Sequence, residues 1–235
     1  MIPRRIKQII GTVVLLGVLF VAGREGFTVV STQLVEDMRL AGVYDADTYV
    51  DEIWESSLIP TIEENAVELS TILEEFEVDE EGVTSRETLI PVAERYGLIT
   101  AGEAHVYTVK GEGTITGVNL ESRVGVAQLD LEGYDGATTV NLFLGPRIPS
   151  DESSVRDAVG FISFGDFRDQ TEYGRVAAAI NSRINRDVLE PLDKENLEGK
   201  EVAFLGAFSI RTFNLVDIDL SEINVTPTHM QLVSN

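Results

Sequence analysis

The sequence of 235 residues contains no cysteine and only two histidines, His105 and His229. Without cysteine, the chain cannot form disulfides, thiolate nucleophiles, zinc–cysteine sites or iron–sulfur clusters. The two histidines are far apart in the sequence and lack metal-ligand spacing, so each is expected to be a structural or surface residue. The sequence therefore predicts neither a metal site nor a cofactor.

Positive charge is also scarce. The chain has 18 Lys and Arg residues against 40 Asp and Glu residues, which gives a net charge of -22. Such a surface repels phosphate backbones, which argues against nucleic acid as a partner. It also disfavours docking on anionic lipid beyond the N-terminus. With 43% hydrophobic residues, the chain can still build the core of one ordinary domain with accessory elements.

Motifs for catalysis are missing as well. The serine pairs Ser56-Ser57 and Ser153-Ser154 have no nearby histidine and no strand–turn–helix nucleophile elbow. The sequence has no Walker motif, no GxGxxG and no DxDxDG loop. The sequence therefore predicts a protein that is not an enzyme.

What is present begins with a hydrophobic N-terminal segment, 1–26. Arg4, Arg5 and Lys7 precede an uncharged run over 8–23, and Arg24 closes it. Basic residues before an apolar run keep the N-terminus in the cytoplasm and send the following chain across the membrane. We favour an uncleaved signal-anchor in the inner membrane with the soluble part in the periplasm, and a cleaved signal peptide is the alternative.

The region 27–102 is predicted to be helical, because apolar residues recur in it at helical spacing. Its predicted elements are a tether over 28–42, a helix over 48–57 capped by Asp47, a helix over 61–76 after a kink at Pro60, and a helix over 85–96 with Gly97 as the C′ residue.

From residue 103 to the end of the chain, the pattern is β-rich. Strands are predicted over 105–119, 124–131, 138–144 and 201–211, with a last extended segment from 218 or 223 to 232. Gly111, Gly113 and Gly117 mark curvature of the first strand. A long helix that starts after Asp169 and ends near Leu189 lies between the third and fourth strands.

This order matches a five-stranded Greek-key barrel of the OB type, in which a helix between the third and fourth strands closes one end. We therefore predict an α+β protein with an OB-like barrel over 103–235. The helical region 27–102 would form a separate cap or pack on the barrel. The same element order also permits an open five-stranded α+β sheet.

Several short motifs carry a resemblance to a known family. They are Tyr49-Val50-Asp51-Glu52-Ile53-Trp54 with Pro60, Val109-Lys110-Gly111-Glu112-Gly113, Leu144-Gly145-Pro146, Arg156-Asp157, Phe164-Gly165-Asp166-Phe167, Asp169-Gln170, Asn181 and Leu197-Glu198-Gly199-Lys200. With these, the chain resembles an uncharacterised bacterial family of predicted periplasmic lipoproteins, often encoded beside sugar ABC-transporter components. The resemblance implies an extracytoplasmic protein but no activity. This chain lacks the lipid-attachment cysteine, which leaves the hydrophobic segment as its anchor.

The densest set of polar groups surrounds the start of the long helix. The candidate ligand-binding residues are Arg147, Arg156, Asp157, Asp166, Asp169 and Gln170, with Glu172 and Tyr173 beside them. Such groups could bind a polyol or a hard cation at the mouth of the barrel. The structural interpretation is favoured, with Asp169 as N-cap, Glu172 reaching back to it, and Arg156 with Asp157 as a partly buried pair. Phe161, Phe164 and Phe167 are expected in the core.

Three functional hypotheses follow. The first is a membrane-anchored extracytoplasmic accessory protein without catalysis, associated with carbohydrate ABC transport. The second is a small-molecule binding protein, for a sugar or a cation, with its site near Arg156 and Asp166. The third is a carboxylate-based hydrolase that would use Asp166 and Asp169.

Overall fold

The computed structural model of the chain describes residues 44–149 and 153–233. The predicted segment 1–26 and the tether 28–42 lie outside the described residues. Within that described part, no helix is long and apolar enough to cross a membrane. Residues Ala46–Asn235 form one compact unit.

The α-helices are α1 (Ala46–Ile53), α2 (Ile59–Asn65), α3 (Leu69–Glu75), α4 (Arg86–Tyr96), α5 (Ser154–Ala158) and α6 (Gln170–Ile184). Two π-helical turns, Trp54–Leu58 and Asn185–Leu189, follow α1 and α6, and two 3₁₀ turns lie at Phe164–Asp166 and Lys194–Asn196. The strands are β1 (Val67–Glu68), β2 (Val83–Ser85), β3 (Gly97–Ile99), β4 (Ala104–Asn119), β5 (Val126–Leu131), β6 (Thr139–Phe143), β7 (Glu201–Arg211), β8 (Asp217–Asp219) and β9 (Glu222–Leu232).

Five of these strands close on themselves. The hydrogen-bonded order is β4-β5-β6-β9-β7, and β7 pairs back with β4 along nearly its whole length. All contacts in this ring are antiparallel except the parallel pair β6–β9. The strand β4 pairs with both β5 and β7. Its register with β5 shifts between Ile115 and Gly117, and an irregularity of this kind bends a strand.

The helices before the barrel share its core. Leu69, Ile72 and Phe76 of the α3 region and Leu89 of α4 belong to the same buried cluster as the barrel residue Tyr107. Phe76 meets the Tyr107 ring edge to face, with the centroids 5.6 Å apart. The helical region therefore packs on the barrel.

The predicted helix over 61–76 is wrong in one respect, because the chain extends at Val67–Glu68 between α2 and α3. Val67 pairs with Val109 in parallel with β4, so the backbone hydrogen bonds of this short segment are made to the sheet. Asp47 also lies inside the first turn of α1, which begins at Ala46, and is not its N-cap.

The C-terminal end of α4 also differs from the prediction, because the chain enters a strand there, whereas its N-terminal end is capped. Ser85 caps the helix as its side chain accepts from the Thr88 N–H (3.1 Å). Gly97, however, is extended (φ -143°) and begins β3 directly. A Cβ at Gly97 would lie 2.5 Å from the Val106 carbonyl oxygen, so the glycine permits the close approach of β3 to β4.

The long helix α6 packs against α1 and α5, and the π-helical turn that follows it contacts β9. Arg183 of α6 pairs with Asp51 of α1 and lies over the Trp54 ring, 4.8 Å from its centroid. The chain beyond α6 then reaches the barrel, where Val188 and Leu192 pack against the main core.

Candidate functional site

The Arg156–Asp157 pair forms the centre of the predicted polar cluster and is largely buried. The guanidinium of Arg156 donates from Nε to Asp157 Oδ1 (2.7 Å), and its Nη1 donates to the Tyr173 carbonyl oxygen (3.2 Å). The same carboxylate accepts from Ser153 Oγ (2.7 Å) and from the Tyr173 hydroxyl (3.1 Å). This network joins α5 to the first turn of α6.

The electrostatics of Tyr173 reflect this burial. Desolvation raises the pKa of the Tyr173 hydroxyl, and the neighbouring Asp157 carboxylate raises it further. The hydroxyl therefore stays protonated and continues to donate to Asp157. A tyrosine with a raised pKa that donates to a carboxylate stabilises an interface between helices and is poorly suited to act as a base.

The start of α6 is satisfied by its own side chains. Asp169 Oδ1 accepts from the N–H groups of Thr171 (2.9 Å) and Glu172 (3.0 Å), so the predicted N-cap is present. These backbone donors lower the pKa of the Asp169 carboxyl. The buried Glu172 reaches back towards the start of the helix, as predicted. Its carboxylate, however, accepts from the N–H of Arg168 (2.9 Å), one residue before the N-cap Asp169.

The remaining candidate residues do not join this network through any contact that the structure gives for the described residues. Asp166 is exposed and accepts from the Ser163 N–H (3.1 Å) in its own turn. Gln170 is exposed at the first position of α6. Arg147 is exposed after β6, and its backbone N–H donates to the Arg123 carbonyl oxygen (2.9 Å).

Two aromatic predictions in this region are wrong. Phe161 and Phe164 were expected in the core, but they are 39% and 54% exposed. Phe164 instead lies against the outer edge of the cluster, with its ring 5.7 Å from that of Tyr173 in an edge-to-face arrangement. Burial of a phenylalanine outside a helix or strand depends on which other segments pack against it. Sequence periodicity does not predict that packing.

A concave surface lies elsewhere, where β4, β5 and β7 meet α3. This acidic cleft has a volume of about 660 Å³. The carboxylates that line it are Glu74, Glu112, Asp130, Glu132, Asp135 and Glu201. Among the described residues, none of the six has a Lys or Arg ion-pair partner. The predicted candidate residues do not line the cleft.

The register of the sheet explains how this acidic cleft arises. Thr114 of β4 lies between Asp130 of β5 and Glu201 of β7, so their side chains share one face of the sheet. Sequence reasoning missed the cleft because the carboxylates are separated by up to 127 positions along the chain. The available signal was the outward-facing acidic residues at alternate positions of neighbouring strands.

Neither arrangement has the geometry of a metal centre among the described residues. No set of three or more His, Asp or Glu residues in the described part of the chain has the geometry to hold a metal ion. The buried imidazole of His105 lies apart from these carboxylates, near Arg86 and Glu103, and burial lowers its pKa.

Comparison with known proteins places this architecture. The model of the family described as predicted periplasmic lipoprotein (DUF2291) matches residues 17–231. The chain belongs to this family. The resemblance in the sequence motifs is thereby confirmed at the level of the family, and an extracytoplasmic, periplasmic assignment of the soluble part is consistent with the family description.

The fold also has a solved counterpart. The crystal structure of an OB-fold protein from Thermotoga maritima matches with a TM-score of 0.60 and 15% identity, covering 81% of this chain and 99% of that chain. The likeness supports the mixed α+β fold with an OB-like barrel and carries no functional assignment. No curated protein matches the chain.

Proposed function

We propose that this protein is an extracytoplasmic accessory protein, held at the inner membrane by residues 8–23, that acts through contacts with other proteins and without catalysis. The observation that carries the proposal is its membership in a family of predicted periplasmic lipoproteins. Because the sequence contains no cysteine for lipid attachment, the hydrophobic segment would take the place of the lipid.

The site geometry supports a non-catalytic role. The polar groups around Arg156 make hydrogen bonds to one another and to backbone groups, with distances of 2.7–3.2 Å. A reacting carboxylate needs access to substrate, whereas the Asp157 side chain is 14% exposed and already has three donors. This arrangement stabilises the junction of α5 and α6.

The proposed partners are components of a carbohydrate ABC transporter. The absence of cysteine makes single-cysteine crosslinking clean, because every adduct forms at the introduced position. We expect the full-length chain to fractionate with the inner membrane, to be digested by protease added to spheroplasts, and to form discrete adducts with a transporter or its binding protein. Recovery in the cytoplasm would overturn the location, and adducts exclusively with unrelated proteins would overturn the transport role.

Small-molecule binding near Arg156 and Asp166 is the second candidate, and mass action gives it a direct test. A ligand that binds the folded state raises the melting temperature in proportion to the logarithm of its concentration. Screening the full-length protein with monosaccharides, disaccharides and divalent cations should show no shift if this cluster is structural. A shift that is lost in Asp166→Asn, while the unliganded melting temperature is unchanged, would establish a site there.

A further inference from the structure

One end of the domain exposes six large apolar side chains. They belong to β3, the loop after α5 and the loop between β7 and β8, and we call them the apolar end: Leu98, Ile99, Phe161, Phe213, Leu215 and Val216. Val216 is 76% exposed and Phe213 is 61% exposed. Isolated exposed apolar residues are ordinary, but a cluster of this kind marks an interaction surface.

Contacts between the segments place them at the same end of the domain. The N–H of Thr212 donates to the Glu103 carbonyl oxygen (3.3 Å), which joins the β7–β8 loop to the β3–β4 hairpin. On the other side, Leu98 Cδ1 lies 3.2 Å from the position of a Cβ at Gly160, beside Phe161. Leu98 and Ile99 are adjacent in β3 and point to opposite faces, so they lie on two sides of this end of the domain, and both are exposed.

The apolar end is nearly free of charge. In the three segments that form it (97–103, 158–163 and 209–216), only Glu103 and Arg211 are charged, and Glu103 is paired with Arg86 of α4 (2.7 Å). A quarter of the whole chain is charged, with a net charge of -22. The occupant of this surface should therefore itself be apolar and carry little net charge.

This charge distribution distinguishes three possible partners of the apolar end: a basic protein, a second copy of the chain and a lipid bilayer. A basic protein would be steered to the acidic remainder of the surface, and a second copy would bring two bodies of charge -22 together. A bilayer of zwitterionic phospholipids has an apolar interior. Because each of its headgroups carries one positive and one negative charge, its surface has no net charge. Anchoring also keeps the domain at a high effective concentration near such a surface.

We propose that the apolar end inserts into the interface of the phospholipid bilayer, with Phe213, Leu215 and Val216 as the inserting side chains. This inference rests on the proposed membrane association. It adds that the folded domain lies against the membrane through this face and does not hang free from its anchor. Insertion would leave the acidic cleft and the remaining charged surface exposed to partners.

The absence of cysteine again provides the experiment. Full-length Val216→Cys would be labelled with an environment-sensitive dye and reconstituted into phosphatidylcholine vesicles, with Gln128→Cys on exposed β5 as the matched control. We expect a blue shift at position 216 and about twofold quenching by brominated lipid, with neither at position 128. Replacement of half the lipid by anionic phosphatidylglycerol should weaken the quenching at low salt, because the acidic surface is repelled.

A second variant separates insertion from proximity. Dye at Leu215→Cys should be quenched in the otherwise natural chain and not in the Phe213→Ser/Val216→Ser background, in which only exposed side chains change. Retained quenching in that background, or none at position 216 in vesicle-bound protein, would overturn insertion while leaving membrane association intact. Failure to bind vesicles would instead refute the anchor.

A protein partner or a second copy of the chain at the apolar end would give different results in these experiments. A dye at position 216 that is buried in native membranes but exposed in pure lipid vesicles would indicate a protein partner and overturn the proposal. Energy transfer between labelled copies that persists on dilution with excess lipid would indicate a second copy and overturn it equally.

Discussion

The guanidinium carbon of Arg156 lies 3.6 Å from the centre of the Tyr173 ring, and Nη1 of the same side chain donates to the Tyr173 carbonyl oxygen at 3.2 Å. One arginine thus contacts both the ring and the backbone of a residue in the first turn of α6. A cation over an aromatic face is stabilised further where water is excluded, as in this buried position. This contact fixes the position of α5 relative to α6.

The first prediction concerns this arginine. Arg156→Met should lower the free energy of unfolding by about 3 kcal/mol, because the largely buried Asp157 carboxylate loses its charged partner. Tyr173→Phe removes one hydroxyl donor from the same carboxylate and should cost about 1 kcal/mol. Urea denaturation of the full-length protein measures both.

The control for these variants is Asp166→Asn, an exposed site in the neighbouring turn. It should change the free energy of unfolding by no more than about 0.5 kcal/mol. If Arg156→Met is as stable as the unmodified chain, the cluster does not stabilise the junction of α5 and α6. Ligand binding would then be the better explanation for its hydrogen-bond network.

A structural feature could be predicted from the sequence when the residues that form it are close together along the chain. The Asp169 cap was predictable because the cap and its donors lie within three residues of each other. The exposed Phe161 and Phe164 were not, since their environment depends on residues of other elements, as with Phe164 against Tyr173 of α6. Helical periodicity likewise gave no sign that Val67 leaves the helix to pair with Val109.

The same distinction applies to the candidate site. Sequence analysis found the acidic and basic residues around α6 because they are neighbours in the chain. It missed the acidic cleft because Asp130, Thr114 and Glu201 meet only through the register of three strands. Register is determined by the packing of the whole barrel, and no local pattern carries it.

The acidic cleft leads to the second prediction. Glu132 donates its N–H to the Glu112 carbonyl oxygen (2.9 Å), so two exposed carboxylates, one on β4 and one directly after β5, are neighbours at the rim of the cleft. Glu112→Gln with Glu132→Gln should raise the melting temperature at low salt by relieving like-charge repulsion. The gain should shrink at about 0.5 M NaCl, where the screening length is only a few ångströms.

Scanning calorimetry at both salt concentrations measures this effect. The matched control is Glu222→Gln, which neutralises an exposed carboxylate at the start of β9, outside the cleft. The control removes one negative charge and the double variant removes two. A gain half as large in the control would therefore show that net charge, and not the local arrangement of the cleft, sets the effect.

The third prediction is a pH dependence that arises at His105. Burial, and then the nearby Arg86 guanidinium, lower the pKa of this imidazole in the folded chain, while Glu103 partly opposes the shift. Because the unfolded imidazole has the higher pKa, near 6.5, the unfolded chain takes up the proton first. Stability is therefore complete above about pH 6.5 and falls as the pH drops towards the folded pKa.

Replacement of His105 by Gln should flatten this part of the curve, because glutamine does not titrate. Thermal unfolding between pH 5 and 7.5 measures the slope, and His229→Gln, at an exposed position, should leave it unchanged. If His105→Gln preserves the slope in full, the acid sensitivity of the fold originates in other groups.

The fourth prediction compares two glycines to test the barrel geometry. A Cβ at Gly113 would lie 2.3 Å from the Asp130 carbonyl oxygen, a backbone atom that cannot rotate away, so Gly113→Ala should cost about 2 kcal/mol. Gly174, within α6, has no atom within 4 Å of the same position, and Gly174→Ala should gain roughly 0.5–1 kcal/mol from the higher helix propensity of alanine. Opposite signs in urea denaturation are the expected result. A neutral Gly113→Ala would mean that β4 and β5 do not approach each other as closely at Gly113 as the structure shows.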